Sequence, residues 1–198
     1  EPQSAVENGR VFCVLQQVLK MKLIEPDKQG FWLFTQASSI HLVDGKLPFG
    51  RADELGLTGL HAMRIGEWAG QPLYLVESQT DDGRAYFSLR DQLSLPLEQF
   101  NLLSRGVELN HFYQMHQFCG KCGGKTEQMS DEWAVQCQAC GFRTYPVICP
   151  SIIVAVRRGS QILLANHRRH KGGMYTTLAG FVEVGETFED AVRREVYE

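Results

Sequence analysis

The sequence predicts an α+β protein, because short apolar runs separated by turn residues dominate its first half, while helical patterns are few. Two further observations shape this prediction. Two Cys-x-x-Cys pairs lie in the middle of the chain, and the last residues combine a glycine-containing turn with an amphipathic helix. Together these features predict a small mixed N-terminal domain, a metal-binding ribbon, and a segment of strands that leads into a helix.

Composition and charge predict a soluble, cytoplasmic protein. The 198 residues carry a net charge of −3 and a pI near 6.1, which provides no basic field for nucleic acid, so no DNA partner is expected. No apolar run is long enough for a membrane span and no signal-peptide pattern is present, so no membrane partner is expected. Four of the six cysteines form two close pairs, which favours metal binding in a reducing compartment over disulfides. We expect Cys13 and Cys149 to be unpaired.

The first part of the chain changes character near Met21. Residues 1–20 are expected to be an upstream extension, with a native strand or helix as the alternative. Residues 21–112 are predicted to form the mixed N-terminal domain. Asp44-Gly45 and the segment 69–72 indicate turns between strands. The predicted elements are strands at 31–34, 40–43, 63–68 and 73–76, and helices at 97–103 and 107–116.

Residues 113–146 are predicted to form a zinc ribbon around Cys119, Cys122, Cys137 and Cys140. Fourteen residues separate the two pairs, and a glycine follows each pair, which lets the backbone turn tightly around a metal. Four thiolates at this spacing suit one tetrahedral, structural Zn²⁺ per chain that keeps no open coordination position. Two disulfides, or redox-active Cys-x-x-Cys pairs, are the alternatives.

Residues 147–198 are predicted to contain short strands followed by a turn at Gly180 and a helix. The run 151–157 is apolar and rich in β-branched residues, which predicts a buried strand. Further short strands are predicted at 161–165 and 174–178.

The helix after Gly180 is predicted from its cap and its periodicity. Thr187 is expected to be the N-cap, and Asp190 stands three residues later, as in a capping box. Phe188, Val192 and Val196 recur every fourth residue, so we expect them to share one face that points into a core.

Two carboxylates lie on an adjoining face of this helix. Glu195 and Glu198 are three residues apart, so they are one turn apart, where like charges repel. A hard divalent cation such as Mg²⁺ reverses that repulsion, because it prefers oxygen ligands and keeps several waters. The alternative is a solvated acidic helix face.

The spacing of Gly180, Glu186, Arg194, Glu195 and Glu198 resembles the Nudix box, the signature of hydrolases that act on nucleoside diphosphates linked to another group. Every fixed position of the box from 180 to 198 matches. The chain ends one residue before the second glutamate of the box. We therefore expect residues 1–198 to belong to a longer protein and to be inactive by themselves.

A zinc ribbon stands directly before the Nudix segment, and this order resembles one group of Nudix hydrolases in particular. Together with Glu132-Trp133, Tyr145-Pro146 and the run 178–186, this order resembles the bacterial NADH pyrophosphatases, which are also described as removing NAD caps from RNA. The resemblance implies that residues 147–198 are the first part of a Nudix α/β/α sandwich. It also implies a metal-dependent hydrolase that cuts NAD(H) into nicotinamide mononucleotide and AMP, and a homodimer.

The resemblance also assigns roles to individual residues. Glu195 and Glu198 take the place of catalytic, metal-binding glutamates for Mg²⁺ or Mn²⁺. It adds the Ala179 carbonyl as a metal ligand, and it makes Glu186 and Arg194 a structural ion pair. The residues that it assigns to substrate binding are Arg90, Glu132, Tyr145 and Phe181.

Two other functions remain open at this point. One is a zinc ribbon that binds nucleic acid and carries a Nudix-like domain without catalysis. The other is a Nudix hydrolase of a different nucleoside diphosphate derivative. The residue after position 198 and the sequence beyond it would discriminate among the three.

Overall fold

The structure is a computed structural model. It describes residues 20–77, 82–166 and 173–198, and the backbone of residues 4–7 and 10–13. The chain forms two compact units, Glu1–Pro146 and Val147–Glu198. Strands and a few helices are mixed in it, which confirms the α+β class.

The first unit is built mainly from short strands and one long helix. Its elements in chain order are β1 (Ser4–Glu7), β2 (Arg10–Cys13), β3 (Lys22–Leu23), β4 (Gln29–Leu33), β5 (Thr35–Gln36), β6 (Ser39–His41), β7 (Phe49–Arg51), β8 (His61–Trp68), β9 (Gln71–Val76), β10 (Tyr86–Ser88), a 3₁₀ helix (Leu89–Gln92), α1 (Leu97–Met115), β11 (Thr126–Gln128), β12 (Val135–Cys137) and β13 (Arg143–Thr144). The sheets formed by these strands have the orders β1-β2, β3-β8-β9-β4-β7, β10-β6-β5 and β11-β12-β13.

The five-stranded sheet of the first unit is buried on both faces. Successive residues of a strand point to opposite faces, so Leu33 and Trp32 of β4 enter different clusters. Leu33 packs in a cluster that includes Leu103 and Leu109 of α1. Trp32 packs in a second cluster on the other side and stacks on Tyr74, with ring centroids 4.9 Å apart. The helix therefore covers one face of the sheet.

One continuous helix replaces the two that the sequence predicts at 97–103 and 107–116. The structure extends α1 through Gly106, a residue that weakens an isolated helix. A Cβ on Gly106 would overlap Leu33 Cδ2 and would lie 3.2 Å from Ile65 Cδ1. The missing side chain therefore lets the helix approach the sheet closely, and packing outweighs local helix propensity.

Both turns predicted in this unit are confirmed. Ala69 and Gly70 join β8 to β9 with φ values of 50° and 74°, the signs that a two-residue type I′ hairpin turn requires. Asp44 and Gly45 also have positive φ, at 49° and 74°, and Val43 bridges to Lys46 around them.

The second unit combines two-stranded ladders with one helix. Its elements are β14 (Ser151–Val154), β15 (Arg157–Arg158), β16 (Gln161–Ile162), β17 (Ala165–Asn166), β18 (Tyr175–Thr176), β19 (Leu178–Phe181) and α2 (Phe188–Tyr197). Strand β14 pairs antiparallel with β19, β15 with β16, and β17 with β18. Neither α1 nor α2 is long and apolar enough to cross a membrane.

The buried strand predicted at 151–157 is shorter and only partly buried in the structure. Strand β14 ends at Val154, and its side chains alternate in exposure. Ile152 is 8% exposed, whereas its neighbour Ile153 is 77% exposed. Within the described residues β14 therefore has one covered face, as is common for a strand in an antiparallel pair.

The prediction that Phe188, Val192 and Val196 point into a core is also not met. Phe188 is 59% exposed and Val196 is 43% exposed, while Val192 is half-buried. The buried residue of α2 is Ala191. A small side chain at this position lets α2 approach β14 and β19, so the helix rests on the face that also carries its polar groups.

Candidate functional site

Two equivalent backbone turns build the cysteine site in the first unit. In the first turn the Cys119 amide donates to Gly124 O at 2.8 Å, and the Gly123 amide donates to Cys119 O at 2.9 Å. In the second turn the Cys137 amide donates to Phe142 O at 2.9 Å, and the Gly141 amide donates to Cys137 O at 3.0 Å. Because the two hydrogen-bond patterns have the same spacing, each turn presents its two thiols in the same way.

Both turns need a glycine after the second cysteine. Gly123 and Gly141 have φ values of 74° and 71°, in the left-handed region that side chains disfavour. The glycines that follow the two Cys-x-x-Cys pairs in the sequence therefore have a backbone role. We call these two turns the first knuckle (residues 119–124) and the second knuckle (residues 137–142).

The two knuckles bring the four thiols together. The Sγ atoms of Cys119, Cys122, Cys137 and Cys140 all lie within 4.8 Å of one another. Cys122 Sγ is 3.5 Å from Cys137 Sγ, and Cys119 Sγ is 3.8 Å from Cys140 Sγ. Four sulfurs at about 2.3 Å from a tetrahedral Zn²⁺ are about 3.8 Å apart, so the geometry fits this ion.

The thiols are free cysteines and their electrostatics suit a metal. None of the four forms a disulfide. Backbone amides, first that of Cys140, lower the pKa of Cys137 to about 6, so this sulfur is a thiolate at neutral pH. The Gly124 amide lowers the pKa of Cys122, but hydrogen bonds with the neighbouring thiols outweigh it and raise that pKa to about 12. The site therefore holds one ready anionic ligand, Cys137, beside the Cys122 thiol, which a dication would deprotonate.

The ribbon is attached to the rest of the first unit by several contacts. Trp133 packs against the core cluster that α1 covers, and the Arg105 guanidinium lies 5.2 Å from its ring centroid. Thr126 Oγ1 donates to His116 O at the end of α1. Sequence patterns gave no sign of the Trp133 contact, because its partners are distant in the chain.

Three predicted substrate residues lie in the first unit, where each is exposed or partly exposed. Glu132 Oε1 is 3.4 Å from Arg143 Nη1, and both side chains are partly exposed. Tyr145 is 47% exposed. Arg90 lies exposed in the 3₁₀ helix, where its amide donates to Ser88 Oγ. Among the described contacts none joins Arg90 to Glu132 or Tyr145.

In the second unit the start of α2 has the predicted capping box. The Asp190 amide donates to Thr187 Oγ1 at 3.1 Å, and the Thr187 amide donates to Asp190 Oδ2 at 3.4 Å. This reciprocal pair satisfies backbone donors that a helix leaves open at its first turn. It sets the start of α2 and hence the direction in which its last turn presents carboxylates.

Arg194 is the centre of the polar network on α2. Its Nε and Nη2 donate to the two oxygens of Glu186 at 2.7 and 3.0 Å, and Nη2 also donates to Phe181 O at 2.9 Å. Its Nη1 donates to Glu195 Oε1 at 2.7 Å and lies 3.5 Å from Glu198 Oε1. One guanidinium thus ties strand β19, the turn before α2 and two acidic side chains together.

Glu186 and Arg194 each stabilise the charged form of the other. Hydrogen bonds from the Arg194 guanidinium and from the Glu183 amide lower the pKa of Glu186 to about 2. The Glu186 and Glu195 carboxylates raise the pKa of Arg194 further above its usual value. Both groups therefore stay charged across the whole physiological pH range.

Glu195 lies directly against the backbone of β19. A Cβ on Gly180 would overlap Glu195 Oε1 and Cδ, and would be 2.7 Å from Oε2. The side chain of Glu195 is only 19% exposed, whereas that of Glu198 is 61% exposed. The glycine makes room for a carboxylate, and Arg194 holds that carboxylate in place.

The residues on either side of Gly180 point away from this carboxylate. Side chains alternate along a strand, so Ala179 and Phe181 project to the face opposite the one that Gly180 leaves open. Both are exposed, and the Phe181 side chain is 65% exposed. The strand thus places an accessible aromatic ring next to the backbone that contacts Glu195.

Comparison with known proteins identifies both regions. Residues 115–145 match the model of the NADH pyrophosphatase zinc ribbon domain, and residues 148–198 match the model of the NUDIX domain. The chain is 64% identical over 181 residues to the NAD-capped RNA hydrolase NudC of Haemophilus influenzae (strain PittEE), covering 90% of this chain and 69% of that protein. The chain belongs to the NudC family.

Other NudC proteins show the same relationship at different distances. The NAD-capped RNA hydrolase NudC of Mannheimia succiniciproducens is 65% identical over 185 residues, covering 90% of this chain and 69% of that protein. The NudC of Escherichia fergusonii is 45% identical over 177 residues, covering 89% and 68%. The zinc ribbon that the cysteine spacing predicts is therefore confirmed, and the thiol geometry fits it.

Proposed function

We propose that this protein hydrolyses the pyrophosphate bond of NAD(H), giving nicotinamide mononucleotide and AMP, and removes NAD caps from RNA 5′ ends. Membership of the NudC family supports the reaction class and both substrates. The observation that carries the proposal within this chain is the Glu195 carboxylate, which Gly180 admits and Arg194 orients.

The acidic groups of α2 suit the Mg²⁺ or Mn²⁺ that Nudix hydrolases use. Glu195 and Glu198 offer carboxylate oxygens on one side of the helix, which are the ligands that these hard ions prefer. We assign the Ala179 carbonyl as a third ligand. A bound dication supplies charge neutralisation at the pyrophosphate and activates water.

The chain's own residues prepare this chemistry. Arg194 keeps the Glu195 carboxylate oriented and offsets its repulsion from Glu198. We assign Glu195 and Glu198 as catalytic glutamates that would hold the metal by which the attacking water is activated. Glu186 holds Arg194 from its other side, so it acts on Glu195 only through the guanidinium.

Substrate recognition is assigned to four exposed or partly exposed residues. The ring of Phe181 is accessible for stacking on a substrate ring. Arg90 supplies an exposed cation for an anionic substrate. Glu132 and Tyr145 are assigned to substrate contacts across a homodimer, because both are accessible on the ribbon surface.

We also propose a homodimer located in the cytoplasm. The ribbon exposes aromatic surface at Phe142, which is 46% exposed, and at Tyr145, and such residues are enriched at protein interfaces. Free thiols at a zinc site suit a reducing compartment. Light scattering on the purified protein measures the oligomeric state.

The decisive test compares Glu195→Gln and Glu198→Gln with the unchanged protein. The assay follows NADH and NAD-capped RNA with Mg²⁺ or Mn²⁺, and uses the product of the complete reading frame, because the relatives are longer than this chain. Removing either charge should lower kcat by roughly a hundredfold or more, the scale of lost transition-state electrostatics.

Glu189→Gln is the matched control, because Glu189 is an exposed glutamate at the other end of the same helix. It should leave turnover unchanged. Thermal melts exclude unfolding as the cause of any loss. Near-normal turnover of both Glu195→Gln and Glu198→Gln would reject the assignment and favour a binding module without catalysis.

A further inference from the structure

The four thiols of the ribbon differ in their access to solvent. Cys122 and Cys140, the second cysteine of each knuckle, are exposed, whereas Cys119 and Cys137 are buried. Cys119 is 5% exposed and Cys137 is 2% exposed. A small oxidant dissolved in water therefore approaches the four sulfurs from the side of the two exposed residues, Cys122 and Cys140.

Close sulfur contacts join the two knuckles, and each one pairs an exposed thiol with a buried one. Exposed Cys122 lies 3.5 Å from buried Cys137, and exposed Cys140 lies 3.8 Å from buried Cys119. A disulfide requires the sulfurs to approach to about 2.05 Å, so each pair needs a movement of about 1.5–1.8 Å. Rotation of the cysteine side chains about χ1 moves their sulfurs by distances of this order.

We propose that the ribbon is a peroxide-reactive site in which Cys122 and Cys140 are oxidised first, and Cys137 and Cys119 then close disulfides between the knuckles. This inference goes beyond the proposed hydrolase activity and does not depend on it. The oxidant is hydrogen peroxide or an organic hydroperoxide.

The chemistry is balanced at each sulfur pair. In the zinc-loaded protein the exposed cysteine is a deprotonated ligand. Its sulfur attacks one peroxide oxygen, so a sulfur–oxygen bond forms, the oxygen–oxygen bond breaks and hydroxide or alkoxide leaves. The buried thiolate then attacks the sulfenic sulfur, forming the disulfide and releasing a second hydroxide. The two sulfurs lose two electrons, which reduce the two peroxide oxygens.

Closing both disulfides removes all four thiolates from the metal site. Zinc in a ribbon of this kind is held by thiolate sulfur, so the oxidised ribbon no longer retains the ion. A thiol reductant with added Zn²⁺ restores the site, because disulfide formation is reversible.

The test treats the purified zinc-loaded protein with hydrogen peroxide and follows zinc with a metallochromic indicator. Complete oxidation should release the one zinc ion per chain and consume about two peroxide molecules per zinc at the ribbon, one for each disulfide, beyond those that Cys149 consumes. Acid quenching followed by peptide mass mapping should find Cys122–Cys137 and Cys119–Cys140. Disulfides within the knuckles, Cys119–Cys122 and Cys137–Cys140, would overturn the proposal.

A second measurement traps the early intermediate with a dimedone reagent. The label should appear on Cys122 and Cys140 before it appears on Cys119 or Cys137, and the reverse order would reject the assigned roles. Cys149 is an internal reference, since it is an exposed free cysteine outside the knuckles.

Zinc that stays bound after Cys149 is fully oxidised would show that the ribbon is inert, and would also overturn the proposal. A Cys149→Ser variant should release zinc as the unchanged protein does. If the Cys149→Ser variant kept its zinc under peroxide, the reactive thiol would be Cys149 and not Cys122 or Cys140, which would also overturn the proposal.

Discussion

The zinc ribbon and the acidic site on α2 are built in different ways. In the ribbon, hydrogen bonds between residues four or five apart form each knuckle, so a short stretch of sequence contains everything that presents its thiols. In the acidic site, Glu195 depends on Gly180 of another element and on Arg194, which itself depends on Glu186 and on the Phe181 carbonyl. The comparison shows that one site is local in sequence and the other is tertiary.

The largest effect is expected from breaking the local site. A Cys137→Ser substitution removes a buried thiol whose pKa is lowered by backbone amides, so the protein should lose zinc and the ribbon should lose its structure. Zinc analysis and a thermal melt measure both outcomes. Cys149→Ser is the control and should keep one zinc per chain, and full zinc retention by Cys137→Ser would contradict the ligand assignment.

The next largest effect is expected from filling the space beside Gly180 that the Glu195 side chain occupies. In Gly180→Ala the added methyl group displaces the end of the Glu195 side chain, which can move, so stability should fall by only about 1 kcal/mol. Turnover of NADH should fall about as far as in Glu195→Gln, on the order of a hundredfold.

Gly120→Ala is the matched control for that substitution. Gly120 lies in the first knuckle, and a Cβ there would meet no atom within 4 Å. It should therefore keep both zinc and turnover. Normal turnover in Gly180→Ala would mean that Glu195 does not need its position against β19.

A smaller effect concerns pH. Arg194 lowers the folded-state pKa of Glu186 to about 2, so the stability that this pair contributes is present above the usual value of 4.5. It is lost as the pH falls from 4.5 towards 2, because protonation removes the charge that Arg194 binds. Denaturant unfolding should show Glu186→Gln destabilised at pH 7, with the difference from the unchanged protein shrinking below pH 4.5. A difference that is constant with pH would contradict this account.

The smallest stability effect is expected on the ribbon surface. Glu132 and Arg143 are 3.4 Å apart and both partly exposed, so Glu132→Gln should change the free energy of unfolding by less than about 0.5 kcal/mol. If Glu132 contacts substrate as proposed, the same variant should raise the KM for NADH. An unchanged KM would leave Glu132 as a surface residue.

Short-range patterns were sufficient for much of this protein. The Cys-x-x-Cys pairs with their glycines, the Ala69-Gly70 turn and the Thr187–Asp190 capping box all involve residues within a few positions of one another. Their geometry follows from backbone dihedrals and local hydrogen bonds, which the residue types themselves dictate. The spacing of the cysteines therefore predicted a zinc ribbon without knowledge of the rest of the fold.

Long-range packing determined the features that the patterns missed. Helix α1 continues through Gly106 because packing against the sheet stabilises it there. The missing side chain of Gly106 leaves the space that Leu33 and Ile65 occupy. Ala191, rather than the apolar residues four apart, is the buried contact of α2. Such outcomes depend on which atoms of distant segments compete for the same volume, and periodicity along one segment contains no information about them.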